Sequence, residues 1–455
     1  MDIEFIEDQD EDLIDRTART VFGIRCLKPN QKLLIERIMG YERSRRQENL
    51  LALLSTGFGK SICFLLPACL SSGISLIVFP VISLMNDQAQ KLRRLGIPFA
   101  ILKGGMDFRE KDALFRSLES GKVRILITNP EMLIQQSTIS RLQNLSFSYL
   151  VLDEAHTVIS WGESFRPAYL ELPGVISLLR PHALLAFSAT CDPETVSKLK
   201  RSIFTSEPYV LISSADRENI RYRRIRSLFP YQDMKRLLRA EESRSAIVYC
   251  GTRARCEKVA SFLSHYYPTR HYHAGLDRDS RVETERWFRN TSGSVLAATC
   301  AFGLGVDSRC VRTVIHMYLP SSSQDFLQES GRAGRDGHES TSYVLLDPKD
   351  RSPLFSIFTT DSCIRSRLIQ TLGRPLVEAC SGCDGCDGRY TEAFGEKELR
   401  KAVGRIPFLH SRYHVLRKLE KLTCQDRRIA SMALERAVGF GKIAIRFGRV
   451  RLLMK

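Results

Sequence analysis

Leu53–Ser61 reads LLSTGFGKS. An apolar run from Asn49 to Leu54 enters a loop carrying Thr56, Gly57 and Gly59, and Lys60 and Ser61 then open a second apolar run, SICFLLPACL. That is strand, loop, helix. In such a loop the backbone amides can wrap phosphates, glycines allow close approach, and the following helix turns its positive end toward the anion. Lys60 would lie against the β- and γ-phosphates of a nucleotide, with the Ser61 hydroxyl as a magnesium ligand. The strict pattern wants glycine where this chain has Leu54. A plain tight turn is the alternative unless a second nucleotide-binding element exists.

Asp153, Glu154, Ala155 and His156 supply one, as DEAH at the end of the apolar run YLVL. The first carboxylate can hold magnesium and the second can orient an attacking water. Such a pair can also be a simple helix cap. Its occurrence together with the phosphate loop favours nucleotide chemistry.

Further runs, SLIVFP, RILITNP and LLAFSAT, alternate with helical patterns, the signature of a parallel sheet covered on both faces. The pattern weakens over 206–240, where SEPY and ADRENIRYRRIRS read as a connection, and resumes with SAIVYC, TRHYHAG, SVLAATC, TVIHMYLP and TSYVLL. The expected fold class is α/β, with two parallel-sheet domains at 21–208 and 209–350. An acidic N-terminal arm (1–20), expected to be poorly ordered, precedes them. A small cysteine-bearing subdomain (351–390) and a short basic C-terminal module (391–455) follow.

The chain has 455 residues, 43% apolar and 26% charged, as a globular protein does. Formal net charge is +17. Residues 1–20 hold eight acids and two arginines, whereas 389–455 hold 17 Lys and Arg against six acids. This balance suits a polyanionic partner. No apolar run is long enough to span a bilayer, and the acidic start differs from a signal peptide, so a soluble intracellular protein is expected.

Of the 13 cysteines, nine are scattered through apolar segments and read as core residues in a reducing compartment. Cys363, Cys380, Cys383 and Cys386 have the spacing C-x16-C-x2-C-x2-C. Four thiolates suit tetrahedral zinc in a structural role, since no coordination position is left for substrate; disulfides are the alternative.

LSTGFGKS, ISLMNDQ, TNPEML, DEAH, FSAT, AATCAFGLGVD and QESGRAGRDG, in this order, resemble the motif series of superfamily-two helicases. YHAGL, AFGLGVD, QESGRAGRDG and the tryptophan segment after DEAH narrow the resemblance to the RecQ family of DNA helicases, over about Phe22 to Cys386. The resemblance implies RecA-like motor folds for the two sheet domains, ATP and magnesium as cofactors, and a 3′-to-5′ motor on single-stranded and partially duplex DNA, acting in repair or recombination. The expected location is the cytoplasm or nucleoid of a bacterium, or the nucleus of a eukaryote.

Residue by residue, Gln31 matches the glutamine that reads adenine, Lys60 and Ser61 keep their loop roles, and Asp153 and Glu154 match the metal-binding acid and catalytic base. Gln328, Arg332 and Arg335 match the motif whose arginines reach ATP across the cleft; a solvated basic turn is their plain reading. Trp161, Phe165 and Arg166 in SWGESFRPAY match the aromatic-rich loop that senses single-stranded DNA, where rings stack on bases. Core packing is their alternative. Ser160 and Glu163 replace the usual glutamine and histidine there, which implies weakened coupling of DNA to ATPase, and Phe58 stands where relatives often have glycine. The four-cysteine spacing resembles the family's zinc subdomain, a helical hairpin on the second motor domain.

Beyond Arg389, KELRKAV, HSRYHVLRKLEKL, RRIASMALERAV and KIAIRFGRVRLLM read as three helices and a hairpin, an order that fits a small winged helix. His410, Arg412, Arg417, Lys418 and Lys421 form either a phosphate-binding face or a solvated one. Two rivals share the ATP motifs, an RNA helicase and a DNA-stimulated translocase or scaffold with little unwinding.

Overall fold

The computed structural model describes residues 8–44, 46–54, 58–162, 168–188, 191–213, 216–239, 245–302, 311–373, 379–404, 410–446 and 449–453. The chain divides into two units, 1–215 with 304–306, and 216–303 with 307–455.

Among the described residues, the first unit holds seven strands: β1 (Glu48–Leu53), β2 (Ile74–Val78), β3 (Ala100–Ile101), β4 (Ile125–Thr128), β5 (Phe147–Leu152), β6 (Ala183–Ser188) and β7 (Tyr209–Ile212). They form one parallel sheet in the order β3-β4-β2-β5-β6-β1-β7. β1 and β6 are buried along almost their whole length. This is why they read as continuous apolar runs and not as an alternation.

The N-terminal arm departs from expectation. Asp8–Thr20 is a helix, and its Ile14, Thr17 and Ala18 are buried at i, i+3 and i+4. Asp15 pairs with Lys32 at 2.8 Å. The helix packs Ile14 and Ala18 into the core beside Leu34, Ile35 and Ile38.

The second unit carries β8 (Ile220–Arg226), β9 (Ser245–Tyr249), β10 (Thr269–Tyr272), β11 (Val295–Ala298), β12 (Val311–His316) and β13 (Ser340–Leu346), all parallel, in the order β10-β11-β9-β12-β13-β8. The segment expected to be a connection thus contains two strands, β7 of the first sheet and β8 of the second. IRYRRIR conceals a strand because its arginines have structural partners. Arg224 is fully buried, donating to the carbonyls of Phe358 at 3.1 Å and Arg389 at 3.2 Å, and its guanidinium lies 3.9 Å from the Tyr390 ring centre. A buried guanidinium is tolerated only with such a full set of acceptors.

Helices Glu396–Val403, Arg412–Thr423 and Arg427–Gly439 and the strands β14 (His410–Ser411), β15 (Ile443–Arg446) and β16 (Arg449–Leu452) end the chain, with the strands in the antiparallel order β14-β16-β15. Their core is shared: Leu399, Val415, Leu419, Leu434 and Val450 pack with Leu228 and Phe229 from the start of the second unit. Arg412, Arg417 and Lys421 are exposed, whereas His410 and Lys418 of the same basic group are half-buried.

The joint also carries a buried acid. Asp233 accepts from the Ser227 hydroxyl at 2.6 Å and from the Phe394 amide at 2.6 Å. Burial raises its pKa to about 6, against the lowering effects of Ser227, the Phe394 amide, Arg236 and Lys442. Because the folded value lies above the unfolded one, the folded chain binds more protons between about pH 4 and pH 6, and this group makes stability fall as pH rises through that window. Asp233→Asn should flatten that part of the pH profile, read as the urea midpoint from pH 4 to 7. An unchanged slope would show that Asp233 titrates normally.

Candidate nucleotide site and metal centre

In the first unit the phosphate loop joins β1 to the helix Lys60–Leu70, with Gly59 as its left-handed N-cap at φ +89°. Only glycine fits there. A Cβ would be strained by that φ and would stand 2.5 Å from Gln31 Nε2. Gln31 is buried, accepting from the Lys28 amide at 2.9 Å and donating to the Phe58 carbonyl at 2.7 Å. Its amide braces the phosphate loop.

The DEAH turn follows β5 and is pinned on both sides, since Asp153 N–H donates to Val78 of β2 at 3.0 Å and Ala155 N–H donates to Phe187 of β6 at 2.9 Å. Glu154 sits at φ +49°, in the left-handed region. Such strain in a non-glycine residue persists only where the surroundings enforce it, and it concentrates at functional sites. Lys60 Nζ pairs with the Glu154 carboxylate and lies 3.8 Å from Asp153 Oδ1. The three groups are largely buried.

The electrostatics follow from this burial. Desolvation pushes the Asp153 pKa up to about 6, with Lys60 pulling down and Glu154 pushing up. For Lys60, desolvation opposes the charge, but the Glu154 and Asp153 carboxylates outweigh it and hold the pKa above the usual lysine value. Lys60 is therefore a cation held between two acids.

Two supporting residues carried no assigned role in the sequence reading. Gln88, in ISLMNDQ, donates to the Ser61 hydroxyl at 3.1 Å. Ser188, at the end of β6 in FSAT, lies 2.8 Å from His156 Nδ1 and 3.4 Å from the Cys191 thiol. Both lie in quoted motifs, so the motif series was the signal, and the missing information was which groups meet in space. Thr56, Gly57, the Trp161 side chain, Phe165 and Arg166 lie outside the described residues, as do Ser160's side chain and Glu163.

In the second unit, Gln328 is half-buried on the helix Ser323–Ser330, and Arg332 is buried in the turn that follows, with Arg335 half-buried three residues on. Arg217 holds that turn by donating to the carbonyls of Gly331, Ala333 and Gly334 at 3.4, 3.4 and 2.7 Å, and Asn219 donates to Gly334 at 2.8 Å. GRAG is thus a fixed turn with its carbonyls capped, unlike the solvated basic turn of the plain reading.

The Sγ atoms of Cys363, Cys380, Cys383 and Cys386 all lie within 4.8 Å of one another. Four sulfurs around zinc at about 2.3 Å stand roughly 3.8 Å apart, and Cys383 and Cys363 are 3.9 Å apart. The donor set and spacing fit the ion. Burial pushes the Cys383 thiol up, but amides of Cys386, Arg365 and Ile364 outweigh it and bring its pKa to about 7, closer to the thiolate a metal requires. The loop is welded to β8. Cys383 bridges to Tyr222, and the fully buried Asp384 accepts from the amides of Arg224 at 2.9 Å and Thr391 at 3.1 Å and pairs with Arg223.

The model of the DEAD/DEAH box helicase family matches residues 28–199, and that of the helicase conserved C-terminal domain matches 230–337. The chain is 33% identical over 355 residues to ATP-dependent DNA helicase RecQ of Pasteurella multocida (strain Pm70), covering 77% of this chain and 55% of that protein. It is 32% identical over 342 residues to the probable ATP-dependent DNA helicase RecS of Bacillus subtilis (strain 168), covering 74% of this chain and 67% of that protein. It spans about half the length of the first RecQ relatives it matches. Among solved structures it resembles Mss116p bound to ssRNA and AMP-PNP, with a TM-score of 0.63 at 18% identity, covering 97% of this chain and 92% of that one; this likeness is one of fold. Among the described residues, no helix is long and apolar enough to cross a membrane. Two parallel-sheet units, a lysine held against the acids of DEAH, a capped GRAG turn and a cluster of four cysteines, together with these matches, place the chain in the RecQ family of superfamily-two DNA helicases.

Proposed function

We propose that the chain is an ATP-dependent 3′-to-5′ DNA helicase that couples hydrolysis to movement along single-stranded DNA and to duplex opening, in repair or recombination. The observation that carries this reading is the Lys60–Glu154–Asp153 cluster. Lys60 neutralises the acid expected to act as base. An incoming triphosphate offers Lys60 a stronger anion, and the exchange frees Glu154 to orient the attacking water. Ser61 and Asp153 would hold magnesium, which when bound neutralises charge on the phosphates. Gln31 is assigned to adenine, an exchange of its present bond to the Phe58 carbonyl for a base edge. Gln328 is assigned to the nucleotide, while Arg332 and Arg335 are assigned to charge that develops on the transferring phosphoryl. Trp161, Phe165 and Arg166 are assigned to unpaired bases.

The deciding experiment is unwinding of duplexes bearing a 3′ or a 5′ single-stranded overhang, in DNA and in RNA. We expect opening of 3′-tailed DNA alone. Equal opening of RNA would favour an RNA helicase, and ATPase stimulated by DNA without opening would favour a translocase or scaffold.

Arg335→Ala should lower kcat by about 100-fold or more while changing KM for ATP less than about threefold, because a cation that acts on transition-state charge contributes little to ground-state binding. Equal loss in both would assign Arg335 to substrate binding. Zinc, held by the four cysteines, would supply folding free energy to the loop carrying Asp384. Metal analysis should find about one zinc per chain. Cys383→Ser should lower melting temperature and soluble yield before intrinsic ATPase; native protein without zinc would end this assignment.

A further inference from the structure

Behind the arginine turn lies a group of buried polar side chains outside the nucleotide contacts assigned above. Glu329, on the last turn of the helix Ser323–Ser330, is buried with its carboxylate between two partners. Its Oε2 lies 3.1 Å from Nε2 of the fully buried His316 at the end of β12, an ion-pair distance without hydrogen-bond alignment, and its Oε1 accepts from the Tyr318 hydroxyl at 3.0 Å. Burial, and then the Glu329 carboxylate, push the Tyr318 pKa far up, so the phenol keeps the proton it donates. The His316 ring is clamped between Tyr249, stacked at 5.4 Å and 18°, and Phe326 at 4.8 Å. Each end of Glu329 thus meets a group that is itself held in place.

The backbone of the same residue starts the arginine turn. The Glu329 carbonyl accepts from the Arg332 amide at 3.3 Å, and the Arg332 guanidinium lies 5.7 Å from the centre of the Phe302 ring, whose residue's carbonyl accepts from the Tyr249 hydroxyl at 3.2 Å. On the far side, the Tyr318 ring covers Gly251 in the loop after β9, where a Cβ would stand 3.0 Å from the ring and φ is +74°. A single carboxylate therefore connects β12, the loop at Gly251 and the turn bearing Arg332 and Arg335.

We infer that Glu329 is a positioning residue for the arginine turn, acting through its contacts with His316 and Tyr318. The inference rests on the assignment of Arg332 to transition-state charge. A misplaced catalytic cation costs turnover far more than substrate affinity. Buried polar groups left without their partner would reorganise, and the turn that shares their backbone would move with them.

The test is steady-state ATPase of the full chain with saturating single-stranded DNA, together with thermal melting. Glu329→Leu should lower kcat about tenfold and Tyr318→Phe about threefold, with KM for ATP within about twofold of wild type, in line with the loss of two polar contacts or one. Glu329→Gln keeps an oxygen for His316 and can donate to the Tyr318 oxygen, and should restore kcat to within about twofold. In an Arg332→Ala background, Tyr318→Phe should cost less than about 1.5-fold, because coupled groups are non-additive. Tyr318→Phe removes one oxygen and so reports even if Glu329→Leu fails to fold. Lowered melting temperature with wild-type kcat, or a Tyr318→Phe effect that multiplies fully with Arg332→Ala, would overturn the inference. Wild-type kcat in Arg332→Ala alone would instead overturn the assignment of Arg332.

Discussion

Lys60→Ala should lower ATP turnover by at least about 100-fold, the scale expected when a preorganised cation is removed from developing phosphoryl charge. In this chain the loss has a second component. Lys60 is the cation beside Asp153 and Glu154, and its pull is what opposes the upward push of burial on the Asp153 pKa. Without it, two neighbouring carboxylates face each other in a desolvated site, and Asp153 becomes harder to ionise for magnesium. Affinity for single-stranded DNA, measured by anisotropy without nucleotide, should stay within about threefold, since each lost cation affects DNA only when it contacts phosphate. Wild-type turnover in the purified variant would refute the site, and a large loss of DNA affinity would mean that Lys60 serves the DNA track.

Glu154→Gln should lower kcat by roughly 100-fold to 10,000-fold, the range associated with a positioned general base. Nucleotide binding should survive and tighten. Glu154 is the acid paired with Lys60, so the amide releases Lys60 to the phosphates without an ion pair to break. The left-handed backbone at Glu154 is tolerated by glutamine no worse than by glutamate, so the substitution tests chemistry and not the turn. Titration with a fluorescent ATP analogue and single-turnover hydrolysis separate the two effects. A variant unable to bind nucleotide would make Glu154 a binding residue and transfer the base to another group.

The features legible in the sequence were those that depend on neighbours along the chain. NLLALL, SLIVFP and YLVLDEAH announced buried parallel strands because a strand covered on both faces has no polar face to show. The Gly-Lys-Ser loop and DEAH stood out for a related reason: a backbone proposed to approach an anion, and an acid at a strand end, restrict residue type at fixed spacing. The cysteine spacing likewise marked a cluster able to hold a metal ion, and the four thiols do converge.

What only the tertiary structure decided were matters of partnership. Composition made 1–20 an acidic arm, but a helix needs only one apolar stripe to join a core, and Ile14 and Ala18 provide it. IRYRRIR looked like a linker because arginine usually seeks water; it is β8 because the carbonyls that satisfy Arg224 come from residues more than a hundred positions away. The C-terminal module looked separate, yet its core includes Leu228 and Phe229. The pairings of Lys60 with Glu154, His156 with Ser188 and Glu329 with His316 likewise join residues that no local pattern connects. A buried polar group must find its partner wherever the fold brings one, and sheet order, which sequence periodicity does not encode, determines which one it finds.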